Sequence, residues 1–196
     1  MSLARTVGTS LSVLAGIALA SYPVLVYATI GRFGPAGLAA VLGLVCVARL
    51  VVLQLRGRVS VGSYGIVLVC IGGLFLAAVS YWRNSSSAVL FYPVLVNAVL
   101  LTVFAASLWR GPTVIERIAR IREPELPPAA LVYTRRVTIV WSVFFALNGA
   151  AALYTAVATP LETWALYNGF IAYLLIGALF VTELAIRSVW RARLRP

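Results

Sequence analysis

Long apolar runs, separated by short polar segments, constrain this chain more than any other feature of its sequence. Six such runs are each long enough to cross about 30 Å of hydrocarbon at 1.5 Å per residue. A soluble domain of 196 residues could not bury a chain that is 62% hydrophobic in one core. Inside a bilayer such runs must be helical, because only helices and closed barrels satisfy their own backbone hydrogen bonds. We therefore predict an all-α, polytopic membrane helix bundle forming a single domain over residues 1–196.

Turn-forming and charged residues set the boundaries of the predicted spans. Gly31 to Pro35, Arg56 to Arg58, Arg83 to Ser87 and Thr159 to Glu162 read as turns. The spans then cover residues 8–30, 36–55, 59–82, 88–109, 137–158 and 164–186.

The longest polar segment, residues 110–136, is predicted to be a loop with a short helix on the membrane surface. From Pro112 to Arg122, apolar side chains recur every three to four residues, and the following Glu123-Pro124 ends the pattern. We expect this helix to lie in the headgroup region, with Arg117, Arg120 and Arg122 near anionic lipid headgroups.

The arginines predict the orientation of the protein. With six spans, fourteen of the sixteen basic residues fall on one side, and only Arg32 and Arg83 fall on the other. Loops that are rich in positive charge stay in the cytoplasm. We therefore expect a bacterial inner-membrane protein with both termini in the cytoplasm. Its partners would be the bilayer itself and other envelope proteins. Nucleic acid is not expected, because the arginines mark span ends and do not form a basic face with stacking aromatic residues.

The sequence offers little for catalysis. It contains no histidine and no aspartate, so a Ser-His-Asp triad and a zinc-hydrolase helix are excluded. Acid–base chemistry would rest on five glutamates, four of them in predicted loops. Cys46 and Cys70 have no histidine or second acidic ligand beside them, so we predict no metal and no cofactor. A non-enzymatic function is therefore favoured.

Polar residues inside the spans are the candidate functional residues, because such residues are costly in lipid. Arg49 and Glu183 lie in spans two and six at depths that differ by about 3 Å, which predicts an ion pair if the helices are neighbours. Structural readings compete with this one: Arg49 can snorkel to the interface, and Glu183 can pair with Arg187. Asn168 is expected near the outer interface.

Asn97 and Asn148 lie near the middle of consecutive spans. At 1.5 Å per residue, Asn97 is about 13 Å from the outer edge and Asn148 about 16 Å from the inner edge. Both amides thus reach the same level of a core about 30 Å thick. We predict a contact between them, with Gly149 allowing the two backbones to approach. The alternative is that each amide bonds separately to a backbone carbonyl.

From Phe91 onward the chain resembles the intracellular septation protein A family, also called the inner membrane-spanning protein YciB family. The matching segments, in order, are Tyr92-Pro93-Val94 with Leu101 to Leu108, Gly111 to Arg117, Glu125-Leu126-Pro127, Arg136 with Trp141 to Gly149, and Trp164. The resemblance covers about half of the chain. It implies a role in cell-envelope maintenance and septation, with no catalytic residues. Similar small membrane proteins accompany aryl-polyene pigment synthesis.

Three functions therefore remain open at this stage. The first is a non-enzymatic envelope protein of the septation type, and the second is a carrier of a small molecule or lipid. The third is an accessory membrane protein of polyene-lipid biosynthesis. A polar-lined cavity around Arg49 and Glu183 would favour the carrier, whereas a close-packed bundle would favour the envelope protein.

Overall fold

A computed structural model of the chain describes residues 22–55 and 61–193, and this part is helical with no β-strand. Its α-helices are α1 (Tyr22–Leu55), α2 (Val61–Trp82), α3 (Tyr92–Ser107), α4 (Val114–Arg120), α5 (Pro128–Ala158), α6 (Leu161–Leu166) and α7 (Ala172–Arg193). A 3₁₀-helix, Ser86–Phe91, leads into α3, and a π-helical turn, Tyr167–Ile171, joins α6 to α7. The predicted all-α fold class is confirmed.

Five stretches of the described residues are long and apolar enough to span a membrane. They are Gly34–Gln54, Tyr64–Trp82, Ser86–Ser107, Pro128–Ala158 and Leu161–Ser188. They correspond to the second to sixth predicted spans. Most of the first predicted span, residues 8–21, lies outside the described residues. Its remainder, from Tyr22 to Ile30, is helical.

Helix α1 is interrupted where the sequence predicted a turn. The break is confined to Gly34, whose backbone has φ 61° and ψ −175°. A positive φ is strained for any residue with a Cβ, so glycine is suited to this position. Pro35 then supplies the φ of a first helical turn and restarts the helix. We name the two ends of the bundle by their residues: the outer end holds Gly34, Asn84 and Pro160, and the inner end holds residues 110–127.

The fifth span departs from its predicted start at residue 137. Helix α5 begins at Pro128, nine residues earlier, so residues 128–136 are helical and the connecting loop is shorter than predicted. The cause is local: Pro128 occupies the first turn, where its missing N–H costs nothing, and Ala129, Ala130 and Leu131 favour a helix. Arg135 and Arg136 belong to this helix. Arg135 donates from a guanidinium nitrogen to the Leu108 carbonyl oxygen at the end of α3, at 3.0 Å.

The helices pack as two pairs that are joined side by side. Helix α1 packs along α2, α3 packs along α5, and α2 contacts α3 between the pairs. At the outer end, the 3₁₀-helix and α6 lie across the pairs and close the bundle. Trp164 is at the centre of this closure: it is completely buried beside Leu38, Leu42 and Val89. Its indole N–H also donates to the Leu90 carbonyl oxygen at 3.1 Å.

The remaining apolar side chains cover the outside of the bundle, as a lipid-facing surface requires. Leu44, Phe75 and Leu147 are each about two-thirds exposed or more. The last span is the most exposed of the five, with only 6% of its apolar window buried against 17% to 33% in the others. Beyond the π-helical turn, α7 makes few contacts with the other described helices, and its inner half stands apart from the two pairs.

Close helix approach at α2 depends on Gly73. A Cβ built on this residue would lie 2.7 Å from Sγ of Cys46 on α1 and 3.3 Å from the ring of Tyr92 on α3. Small residues permit such approach in membrane helices. Gly177 on α7 is the opposite case, because a Cβ there meets nothing within 4 Å.

We therefore expect Gly73→Ala and Gly177→Ala to change stability in opposite directions. Both gain about 1 kcal/mol of helix propensity, but only Gly73→Ala overpacks a contact, at a cost of about 1–3 kcal/mol. Thermal unfolding in detergent should show a lower Tm for Gly73→Ala and an unchanged or raised Tm for Gly177→Ala. Equal Tm values for the two variants would contradict the packing at α2.

Candidate functional site

A cavity of about 480 Å³ lies in the interior of the bundle. It extends from the level of Tyr92 and Asn168 to Val114 at the inner end. Its walls come from α1, α2, α3, α5 and α7, and it exists because α7, beyond the π-helical turn, makes few contacts with the two helix pairs. Its volume falls within the range of small-molecule sites, roughly 300–1,000 Å³.

The wall of the cavity is mainly apolar, with polar groups at a few positions. The apolar part includes Ile66, Val96, Val103, Phe145 and Ile176. The polar groups that line it are Arg49, Cys70, Tyr92, Asn97, Asn148, Asn168 and Tyr173. An apolar wall with few polar groups is typical of pockets that bind lipid-like or drug-like molecules.

The predicted contact between Asn97 and Asn148 is confirmed. The Asn148 side-chain amide donates to Oδ1 of Asn97 at 3.0 Å, and both residues are buried. Asn97 also donates from Nδ2 to the Pro93 carbonyl oxygen at 2.8 Å, so it takes up the alternative backbone bond as well. Gly149 has the role expected of it, because a Cβ there would lie only 3.1 Å from Cβ of Asn97.

The π-helical turn connects the last span to this amide pair. The hydroxyl of Tyr167 donates to Oδ1 of Asn148 at 2.9 Å. Its neighbour Asn168 donates from Nδ2 to the Thr155 hydroxyl at 3.0 Å and to the Trp164 carbonyl oxygen at 2.9 Å. Asn168 is therefore buried inside the bundle, and its predicted position near the outer interface stays a prediction. The wider π turn lets two consecutive side chains face α5.

Glu183 has a different partner from the one predicted. Its carboxylate accepts a hydrogen bond from the Tyr133 hydroxyl on α5 at 3.3 Å, in place of the predicted pairing with Arg49. The reason is the arrangement of the helices. Helix α1 meets the last span mainly at α6 and the π turn, so Glu183, more than two turns beyond Ala172, is not brought to α1.

Arg49 faces the cavity. Helical side chains lean towards the N-terminus of their helix, which for α1 is the direction of the outer end. Consistent with this lean, Arg49 lines the same cavity as Cys70 and Tyr92. Arg49 therefore lines the cavity with neighbours other than the predicted Glu183, and its functional role stays a prediction.

At the inner end, the loop helix α4 closes the bottom of the cavity. Thr113 caps the helix by accepting from the Glu116 backbone N–H, and the Glu116 carboxylate accepts from the Thr113 N–H, so the two form a capping box. The Val114 backbone N–H donates to the Ser107 hydroxyl at the end of α3. The predicted short helix in this loop is thus confirmed, with bounds Val114–Arg120 that are narrower than predicted, and its place on the membrane surface stays a prediction.

The three arginines proposed to meet lipid headgroups belong to this loop. Arg120 forms an ion pair with Glu116 at 2.8 Å and donates to the Pro124 carbonyl oxygen. Arg117 donates from Nε to the Pro112 carbonyl oxygen. Arg122 is exposed. For Arg120 in particular, these bonds within the loop reduce its availability for headgroups, and the role of all three with lipid stays a prediction.

The amide pair should contribute measurable coupling to stability. Single substitutions Asn97→Leu and Asn148→Leu and their combination form a double-mutant cycle, and we expect a coupling of about 0.6–1.7 kcal/mol, the range for side-chain hydrogen bonds in membrane bundles. Unfolding in mixed micelles would be the measurement. As a matched control, Asn97→Leu with Thr138→Val should be additive, because Thr138 bonds to the Thr134 carbonyl oxygen and lies about 15 Å along α5 from Asn148. Additive losses in the Asn97–Asn148 cycle would contradict the bond.

Comparisons of the chain with protein-family models, with curated proteins and with solved structures find no match.

Proposed function

We propose that this protein binds an apolar, lipid-like molecule within the membrane, as a small-molecule or lipid carrier does. The observation that supports this most directly is the cavity of about 480 Å³, with its mainly apolar wall and its few convergent polar groups. A bundle that only supports other proteins has no need of such a space, because helix packing in lipid depends on close van der Waals contact.

The bundle is tightly packed at its outer end, and the cavity lies inward of that packing. The buried Trp164 and its neighbours fill the outer end, whereas the cavity extends towards Val114 at the inner end. A bound molecule would thus lie along the interior of the bundle, between the level of Tyr92 and the inner end. Entry from the lipid between α7 and the helix pairs is the shortest route, because α7 makes few contacts there.

Filling the cavity should abolish binding of a neutral lipid-like probe. Ile176→Trp places an indole in the cavity, and its neighbour Leu175→Trp is the matched control, because Leu175 faces outwards and is 45% exposed. In phosphatidylcholine nanodiscs, a diazirine-labelled hexadecanol should form adducts on cavity residues of α2 and α3. We expect Ile176→Trp to lower this yield at least about fivefold, because the larger ring projects from α7 into the cavity and obstructs the space that the probe's chain would occupy.

The adduct yield at Leu68, which is exposed on the lipid-facing side of α2, should stay the same in both variants. It reports only the probe that is dissolved in the bilayer. Equal yields at the cavity residues of wild type and Ile176→Trp would refute binding in the cavity.

The orientation that the arginines predict is part of the same proposal: an inner-membrane protein with residues 110–127 on the cytoplasmic side. Cysteine labelling tests it in a Cys46→Ser, Cys70→Ser background. Ser87→Cys, at the outer end, should react with a membrane-impermeant maleimide in intact spheroplasts. Glu125→Cys, exposed in the inner loop, should react only after the membrane is opened. Labelling of Glu125→Cys in intact spheroplasts would contradict this orientation, because residues 110–127 would then lie on the periplasmic side.

The second candidate is the envelope-maintenance function that the sequence resemblance implies. It is supported by the Gly111 to Arg117 segment of the resemblance, which here forms a capped helix tied to α3. Deletion of the gene should then lengthen cells by impairing septation. A normal cell length with loss of a polyene pigment would favour the third candidate, an accessory role in polyene-lipid biosynthesis.

A further inference from the structure

Arg49 gives the cavity a positive charge. Among the lining residues that the structure describes, Arg49 is the only basic side chain, and no carboxylate lines the wall. All five acidic residues of the chain lie elsewhere: Glu116 in the capped helix, Glu123 and Glu125 in the inner loop, Glu162 at the outer end and Glu183 on Tyr133. The wall therefore carries a net positive charge inside an apolar space.

A guanidinium in such a place favours an anionic ligand. Charged side chains inside a membrane protein are costly, typically face the bundle interior or a cavity, and mark substrate or ion pathways. Arginine is the side chain best suited to bind a carboxylate or a phosphate, because its planar donors match the oxygens of either group. Tyr173 on α7 adds a further polar side chain to the wall of the same cavity.

We infer that the ligand of this cavity is a single-chain lipid acid, whose anionic head is held at Arg49 and whose hydrocarbon chain lies along the apolar wall. This inference rests on the proposed function and names the class of ligand. The chain would contact Ile66, Val103 and Ile176, and a cavity of about 480 Å³ suits one chain better than the two chains of a phospholipid. Arg49 thereby acts as the specificity-determining residue.

The inference predicts that the cavity binds a lipid acid in preference to an alcohol of the same chain length. Diazirine-labelled hexadecanoic acid and diazirine-labelled hexadecanol are compared in phosphatidylcholine nanodiscs at a pH where the acid is ionised. In the wild-type protein, we expect the acid to give about tenfold more adduct on cavity residues than the alcohol, the effect of one charge-assisted hydrogen bond. Arg49→Gln should remove this preference, and Arg49→Lys should retain part of it because the charge is kept.

A control excludes general attraction of acids to a basic protein. Arg110→Gln removes an exposed arginine that does not line the cavity, and its acid preference should equal that of the wild type. Competition between unlabelled lipids and the labelled acid shows whether the bound anion is a single-chain acid or a phospholipid headgroup. Unlabelled hexadecanoate should displace the labelled acid, and phosphatidylglycerol at the same concentration should not.

The outcomes distinguish a failure of the role of Arg49 from a failure of ligand binding in the cavity. Equal adduct yields for acid and alcohol in the wild type would overturn the role of Arg49 while leaving cavity binding intact. An undiminished acid preference in Arg49→Gln would do the same. Displacement by phosphatidylglycerol alone would overturn the single-chain acid in favour of a phospholipid headgroup. Absence of any adduct on cavity residues with either probe would instead refute the proposed function itself.

Discussion

The hydrogen bond between Asn97 and Asn148 is the interaction on which the rest of this bundle depends. In lipid, apolar side chains gain little by leaving one apolar surface for another, so helices are positioned by close packing and by the few polar groups that must find partners. This bond aligns α3 with α5 at the middle of the bilayer, and Gly149 beside it permits the short separation. Tyr167 then bonds to the same pair, which ties the last span to the bundle at that level.

The position of the cavity depends on where the last span is attached to the rest of the bundle. The last span is held at the outer end by Trp164 and in the middle by Tyr167 and Asn168. Further along, Tyr133 and Glu183 provide the described polar contact between α5 and α7. Between these attachments α7 stands away from the two helix pairs. The space that is left there forms part of the cavity. The same few hydrogen bonds that hold the fold together thus also leave room for a ligand.

The sequence alone predicted the features that depend on distance along one helix. Apolar run lengths identified the spans, and depth counting brought Asn97 and Asn148 to one level, where the structure joins them. Depth counting failed for Arg49 and Glu183 because it says nothing about which helices are neighbours. The early start of α5 was missed because the predicted boundary followed the change in polarity at Arg136, whereas the helix begins at Pro128. The cavity could not be predicted at all, since it depends on how far α7 stands from the other helices.

The π-helical turn at Tyr167–Ile171 has a further consequence for the face that α7 presents. A π turn accommodates one more residue than the α-helical turn it replaces, so every later side chain is rotated by about 100° relative to an uninterrupted helix. That rotation is what directs Ala172, Tyr173 and Ile176 to the cavity, with Leu174 and Leu175 turned to the lipid. The angular setting of the cavity wall on this side is therefore encoded by a single inserted residue. Loss of that residue would turn a different face of the last span, about 100° around the helix, towards the ligand.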